Sequence, residues 1–162
     1  MSDGTSLDQA IQLTQVGVDE LRQELDELIK VRMPKIIERV ANAREQGDLS
    51  ENADYHSARD EQAITQARIN EIEIILMRSV VVSNKKGIST VGMGSTVTIK
   101  LMTKTAKKIT MTLVGEFEAD PEAGKISVVS PMGKAMMGKK KGDQISVKAP
   151  AGEVAYEILE IK

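Results

Sequence analysis

Two carboxylates, Asp48 and Glu51, stand three residues apart in "EQGDLSENADY", directly after a glycine. At a turn, such a pair can converge on one hard divalent cation, leaving most of its coordination positions to other donors. A half-site of this kind binds weakly alone. It becomes useful where another macromolecule already holds a Mg²⁺ or a phosphate, because a second metal can activate a water for in-line attack on a phosphodiester. The plainer explanation is a helix dipole, since Asp48, Glu51 and Asp54 all lie just before or within the first turn of the helix that follows. That explanation needs only one carboxylate. Arg44 and Arg59 straddle the same stretch; they either hold phosphates of a nucleic-acid strand or pair with Glu45, Asp60 or Glu61 as ordinary surface ions. Tyr55 either packs in a helix seam or stacks on a base. His56, the sole histidine, has no second His or Cys to complete a metal or nucleophilic site, so it is expected on a solvated face.

The elements that position these groups are legible from spacing. From Thr14, a plausible N-cap, "TQVGVDELRQELDELIKVRMPKIIERVANAREQ" predicts a helix with Leu21, Leu25 and Leu28 on one line and Ile29, Met33, Ile36, Val40 and Ala43 continuing it, shifted by one residue. Pro34 lacks a backbone donor, and a bend or local break is expected around it. A return helix follows, with a stripe of Tyr55, Ala58, Gln62, Thr65, Ile69, Ile72 and Leu76 at spacings of three and four. The joint "GDLSEN" is short enough for an antiparallel hairpin, and Gly47 can take the left-handed conformation that ends the first helix. Thirty helical residues make an arm about 45 Å long. Its stripe is apolar at the far end and weak near the turn, so stability is expected to come from the base. Residues 1–13 read as an extended lead without a pattern.

After "SNKKG" the period changes to two, in "GSTVTIKLM", "KKITMTLVG", "GKISVV", "GDQISVKA" and "GEVAYEILEI". "SPMGKAMMG" between them predicts one short helix with Ser130 near its cap. The fold class is therefore α+β: an N-terminal antiparallel helical hairpin over residues 1–82, and a C-terminal antiparallel sheet of four to six strands with one short helix over residues 83–162. Composition agrees with two differently built parts. Residues 1–82 carry nine Lys and Arg against sixteen Asp and Glu, whereas residues 83–162 carry thirteen against eight, and every arginine lies in the first part. The only aromatics are Tyr55, Phe117 and Tyr156. "GKKKGD" at Gly138–Asp143 reads as a solvated turn, because the second part lacks interleaved aromatics on which bases would stack. The absence of cysteine excludes disulfides and thiolate sites and fits a reducing cytoplasm. No run approaches the roughly 20 apolar residues a membrane span needs, and "MSDGTSLDQA" has no basic-then-apolar pattern, so no membrane partner is expected.

Together "LTQVGVDELRQELDEL", "MPKIIERVANAREQGDLSENADYHSARDEQ", "SPMGKAMMGKKKGDQISV" and "PAGEVAYEILEI" resemble the Gre family of bacterial transcript-cleavage factors, the GreA branch in particular. The resemblance implies an N-terminal coiled coil and a C-terminal domain similar to FKBP prolyl isomerases. It also implies a factor that docks its C-terminal domain on bacterial RNA polymerase and inserts the coiled coil through the secondary channel. There Asp48 and Glu51 would help hold a catalytic Mg²⁺, so that the polymerase itself cleaves the backtracked RNA 3′ end. By the same resemblance Arg44, Arg59 and Tyr55 face RNA, while Ser130, Pro131 and Met132 contact the polymerase. The factor would act as a monomer and would not be an enzyme by itself. Three other readings stay open: a Gre-like inhibitor that occupies the channel without promoting cleavage, a stand-alone prolyl isomerase, and a plain coiled-coil scaffold. The isomerase reading is opposed by the scarcity of aromatics for a pocket. The scaffold predicts a tip that tolerates neutral residues and an arm that dimerises.

Overall fold

Thr14 starts the first helix as its sequence suggests: its hydroxyl accepts the Gly17 N–H at 3.0 Å, and α1 runs Gln15–Glu27. In the computed structural model, which describes residues 10–48, 51–83, 89–103 and 105–162, α1 passes into a π-helical turn at Leu28–Arg32 and then into α2, Met33–Glu45. This turn is how the chain accommodates Pro34. The Met33 N–H reaches back five residues to the Leu28 carbonyl, and Pro34, in the first turn of α2, has no N–H to place. One residue is thereby inserted without breaking the helix. The buried line becomes Leu21, Leu28, Ile36 and Ala43, stepping seven, eight and seven, which explains the one-residue shift visible in the sequence. The extra residue also corrects one expectation, because Ile29 turns outward and is 44% exposed.

The return helix α3, Ala53–Arg78, is unbroken over 26 residues, about 39 Å at 1.5 Å each. It lies antiparallel to the first strand of the hairpin, as cross-pairs Arg68–Glu24, Arg32–Glu61 and Arg39–Asp54 require. Its buried line is Ala58, Thr65, Ile69, Ile72 and Ile75. Ile75 replaces the expected Leu76 at the last step, since a 3.6-residue period allows either a three- or a four-residue step and the packing selects three.

The chain divides into two compact units, Val18–Ser79 and a second that joins Met1–Gly17 to Val80–Lys162. Strands β1, Ile11–Leu13, and β2, Ser79–Val81, form a two-stranded sheet, and the Val82 N–H donates to the Leu13 carbonyl at 2.8 Å. Leu13 is fully buried. The expected patternless lead therefore ends in structure; three residues are too few to show a period. Residues 1–9 and 84–88, with most of the sequence-predicted linker, lie outside the described residues.

The second unit contains a five-stranded sheet ordered β5-β4-β3-β7-β6: β3 Thr96–Leu101, β4 Lys108–Val114, β5 Lys125–Ser127, β6 Gln144–Ala149 and β7 Gly152–Ile161. All neighbours are antiparallel except β4 and β5, which pair in parallel. Alternation along β3 buries Val97 and Ile99 and turns Thr96 and Thr98 to the other face. There Thr96 and Thr98 pair hydroxyl to hydroxyl with Thr112 and Thr110, each at 3.0 Å. The apolar face packs Ile99, Leu113, Ile145 and Ile158 together with Met136 from the short helix α4, Pro131–Met136.

Candidate functional site

The turn between α2 and α3 is built by three residues. Gln46 closes α2 by donating its N–H to the Ala43 carbonyl at 3.3 Å. Gly47 follows at φ +120°, where a side chain would strain the backbone although the space around it is open. Asn52 then caps α3, its Oδ1 accepting the Tyr55 N–H at 3.0 Å. Sequence reading quoted Asn52 without giving it a role. An Asn just ahead of a helical run is the signal that finds it.

Asp48 and Glu51 both sit in this turn and both are exposed. Leu49 and Ser50 between them lie outside the described residues. Asp54, in the first turn of α3, is the carboxylate placed to answer the helix dipole, and it accepts Arg39 Nη2 and Nε at 2.6 and 3.0 Å. Asp48 and Glu51 precede the helix, Glu51 directly before its N-cap Asn52. Arg39 also donates to Glu61 at 3.1 Å, and hydrogen bonding to Asp54 holds its guanidinium even more firmly protonated than usual.

The flanking arginines differ from this pattern. Glu61 is taken by Arg32 and Arg39, not by Arg59, whose Nη1 donates to the amide oxygen of Gln62 at 2.8 Å. Among the described residues neither Arg44 nor Arg59 has a carboxylate partner within 4.0 Å. Both are exposed. Tyr55 is half-buried at the start of α3, its ring edge-on to that of His56 with centroids 5.6 Å apart. His56 is exposed, as expected.

The donor set suits a hard cation held jointly with another macromolecule. Carboxylate oxygens are the ligands Mg²⁺ prefers, two of them would leave positions for outside donors, and among the described residues no group of three or more His, Cys, Asp or Glu could hold a metal by itself.

Ser130, Pro131 and Met132 lie in the other unit, where they start α4. The Ser130 hydroxyl accepts the Gly133 N–H at 3.0 Å and donates to the Ser127 carbonyl at 2.7 Å, and Pro131 takes the first helical turn. Gly133 is obligatory there, since a Cβ would fall 2.1 Å from the Ser127 carbonyl oxygen. The Ser-Pro-x-Gly spacing is therefore first a recipe for this helix start. Met132 packs partly on the sheet core, while Pro131, Val129 and Met137 are exposed. Beside them a groove of about 600 Å³ is lined by Ile11, Met93, Phe117, Val128 and Val129. Sequence reading missed it because β1 and the Phe117 loop meet only in the fold.

No helix among the described residues is long and apolar enough to cross a membrane. Two family profiles cover nearly the whole chain: residues 11–81 match Transcription elongation factor, N-terminal, and residues 85–162 match Transcription elongation factor, GreA/GreB, C-term. The chain is 46% identical over 155 residues to Transcription elongation factor GreA of Pelobacter propionicus, spanning 94% of this chain and 97% of that protein. It is 43% identical over 152 residues to Transcription elongation factor GreA of Cereibacter sphaeroides, again over 94% and 97%. The crystal structure of GreA factor homolog 1 (Gfh1) protein of Thermus thermophilus is 28% identical over 95% of this chain and 99% of that one, with a TM-score of 0.44. Matched in both parts, and to relatives this similar over almost its full length, the chain belongs to the GreA/GreB family of transcription elongation factors.

Proposed function

We propose that the protein acts as a monomer in the cytoplasm, inserting its hairpin into the secondary channel of bacterial RNA polymerase to stimulate cleavage of backtracked RNA by the polymerase. The observation that carries this reading is the exposure of both Asp48 and Glu51 in the turn between two long helices. Asp48 and Glu51 are the residues that would hold a Mg²⁺ shared with the polymerase. When bound, that ion supplies Lewis-acid activation of a water for attack on the RNA phosphodiester.

The other residues bind and orient. Arg44 and Arg59 bring exposed positive charge to each side of the acids and are suited to hold RNA phosphates, because among the described residues neither is ion-paired to a carboxylate. Tyr55 offers the one aromatic face at this end of the arm for an unstacked base. The seam narrows at the same end, where buried Ala43 and Ala58 replace leucine and isoleucine, and a slender tip is what entry into an occupied channel requires. Pro131, the accessible part of Met132 and their neighbours on α4 form the polymerase contact.

A halted elongation complex with backtracked RNA tests this. Added protein should accelerate RNA shortening in a Mg²⁺-dependent manner, and Asp48→Ala or Glu51→Ala should abolish the acceleration while binding persists. Unchanged shortening by both variants sinks the assignment. Binding by the wild-type protein without any shortening identifies a channel inhibitor instead.

A further inference from the structure

The turn's two ends are tied by one side chain. Asn52 sends Oδ1 forward to accept the Tyr55 N–H at 3.0 Å and sends Nδ2 backward to donate to the Ala43 carbonyl at 2.8 Å, across nine residues and onto the other helix. That carbonyl belongs to the last turn of α2, where it accepts only the long 3.3 Å bond from the Gln46 N–H and keeps a second lone pair for Nδ2. Serine or aspartate at this position would cap α3 equally well. Asparagine differs from both in carrying its acceptor and its donor on two separate atoms of one planar group, so that it can reach forward and backward at once.

We infer that Asn52 is a positioning residue: its carboxamide ties Ala43 to Tyr55 as a bracket and sets the geometry in which Asp48 and Glu51 are presented. The bracket closes beside two small buried residues of the seam. Ala43 and Ala58 are 1% and 0% exposed and carry no side chain beyond Cβ, so the backbones on either side of Asn52 can come close. Arg39 adds a second tie one helical turn further along, to Asp54 and Ser57. A loop held at both ends keeps its carboxylates near one arrangement before any metal arrives. The restraint is then already in place and does not have to be formed during binding.

This inference rests on the cleavage-factor reading, so its test keeps the two apart. Asn52→Asp and Asn52→Ser retain an acceptor for the Tyr55 N–H; aspartate has no donor to offer Ala43, and the single serine hydroxyl ends one atom short of the Nδ2 position. Both should keep the Tyr55 amide protected from hydrogen exchange, and both should compete for polymerase like the wild-type protein. The Mg²⁺ concentration giving half-maximal stimulated cleavage should nevertheless rise about tenfold, the scale of one lost restraining hydrogen bond. Excess Mg²⁺ should restore the rate in these variants and not in Asp48→Ala. A wild-type Mg²⁺ titration for both variants overturns the inference, and so does weakened polymerase binding that accounts for the lost activity. The bracket is also read in the isolated protein by nuclear magnetic resonance. The Asn52 side-chain amide should exchange with water more slowly than that of exposed Asn42; equal rates overturn the geometry whatever the cleavage assay gives. If Asp48→Ala leaves cleavage intact, the functional reading fails and the amide measurement still decides the bracket.

Discussion

The hairpin and the sheet unit bury their chains in opposite ways. The sheet gathers Ile99, Leu113, Met136, Ile145 and Ile158 into one cluster fed from four strands and a helix, so each side chain has neighbours on several sides. The hairpin has a single seam. At its base the seam is apolar, with Leu21, Leu28, Ile69, Ile72 and Ile75, but toward the turn it thins to Ala43, Ala58 and Thr65. Burying a leucine or isoleucine contributes about 1.5–3 kcal/mol, and alanine has far less surface to contribute. The turn end is therefore held by directional contacts, Asn52 within it and Arg39 along its flank. A tip held by polar geometry can stay narrow, and it can be disturbed without unfolding the rest of its unit.

Truncating apolar volume should be most damaging in the sheet. Ile158→Ala, at a fully buried position, should cost about 2–5 kcal/mol in urea unfolding; a loss well under 1 kcal/mol would erase the contrast with the arm. At the tip the large effect should fall on activity instead. Asp48→Ala or Glu51→Ala should reduce stimulated RNA cleavage by about 100-fold or more, equivalent to about 3 kcal/mol, with an unchanged melting temperature. Ala58→Leu sharpens the argument about seam width: overfilling the narrow end should cost about 1–3 kcal/mol and impair entry into the channel, measured by unfolding and by competition for polymerase.

Gly47→Ala should cost about 1–2 kcal/mol, since φ of +120° penalises any Cβ even where nothing obstructs it. Circular dichroism during urea unfolding measures it, and a stabilised variant would contradict the assigned backbone. The smallest effect is expected at Arg68, which reaches Glu24 through Nε and Nη2 at 2.7 and 2.9 Å and Glu71 at 2.8 Å. Hydrogen bonds to Glu24 and then Glu71 raise its already high pKa. A raised folded-state value means the contribution is present below the unfolded value and lost only as pH climbs past both, far above working conditions. Salt is thus the informative variable. Arg68→Met should cost at most about 1 kcal/mol at low ionic strength and less in 0.5 M NaCl, because the group remains substantially exposed.

Several of these features were open to sequence reading because they depend on residues near one another in the chain. Thr14 and Ser130 were found as caps because a hydroxyl bonds an N–H three residues on, and Gly47 because a helix that must reverse direction calls for a residue tolerant of positive φ. Period-two alternation located the strands. The Pro34 region was only half legible: the shifted seam was visible, but a kink, a break and a π-turn leave the same trace. Ile75 could not be told from Leu76 because either step satisfies the helical period. Asn52 escaped because its cap is a local signal and its bond to Ala43 is not.

By itself the sequence determined the two kinds of architecture, the hairpin with its acidic turn, and which charged groups flank that turn. These follow from periodicity, backbone conformational preference and the chemistry of each side chain, all of which act over a few residues. Tertiary structure alone decided the strand order β5-β4-β3-β7-β6, the parallel pairing of β4 with β5, and the recruitment of Ile11–Leu13 into a sheet with Ser79–Val81. It alone also decided which arginines meet carboxylates. Those outcomes depend on contacts between residues tens of positions apart, where many arrangements satisfy the same local pattern and only packing and hydrogen-bond satisfaction over the whole chain select one.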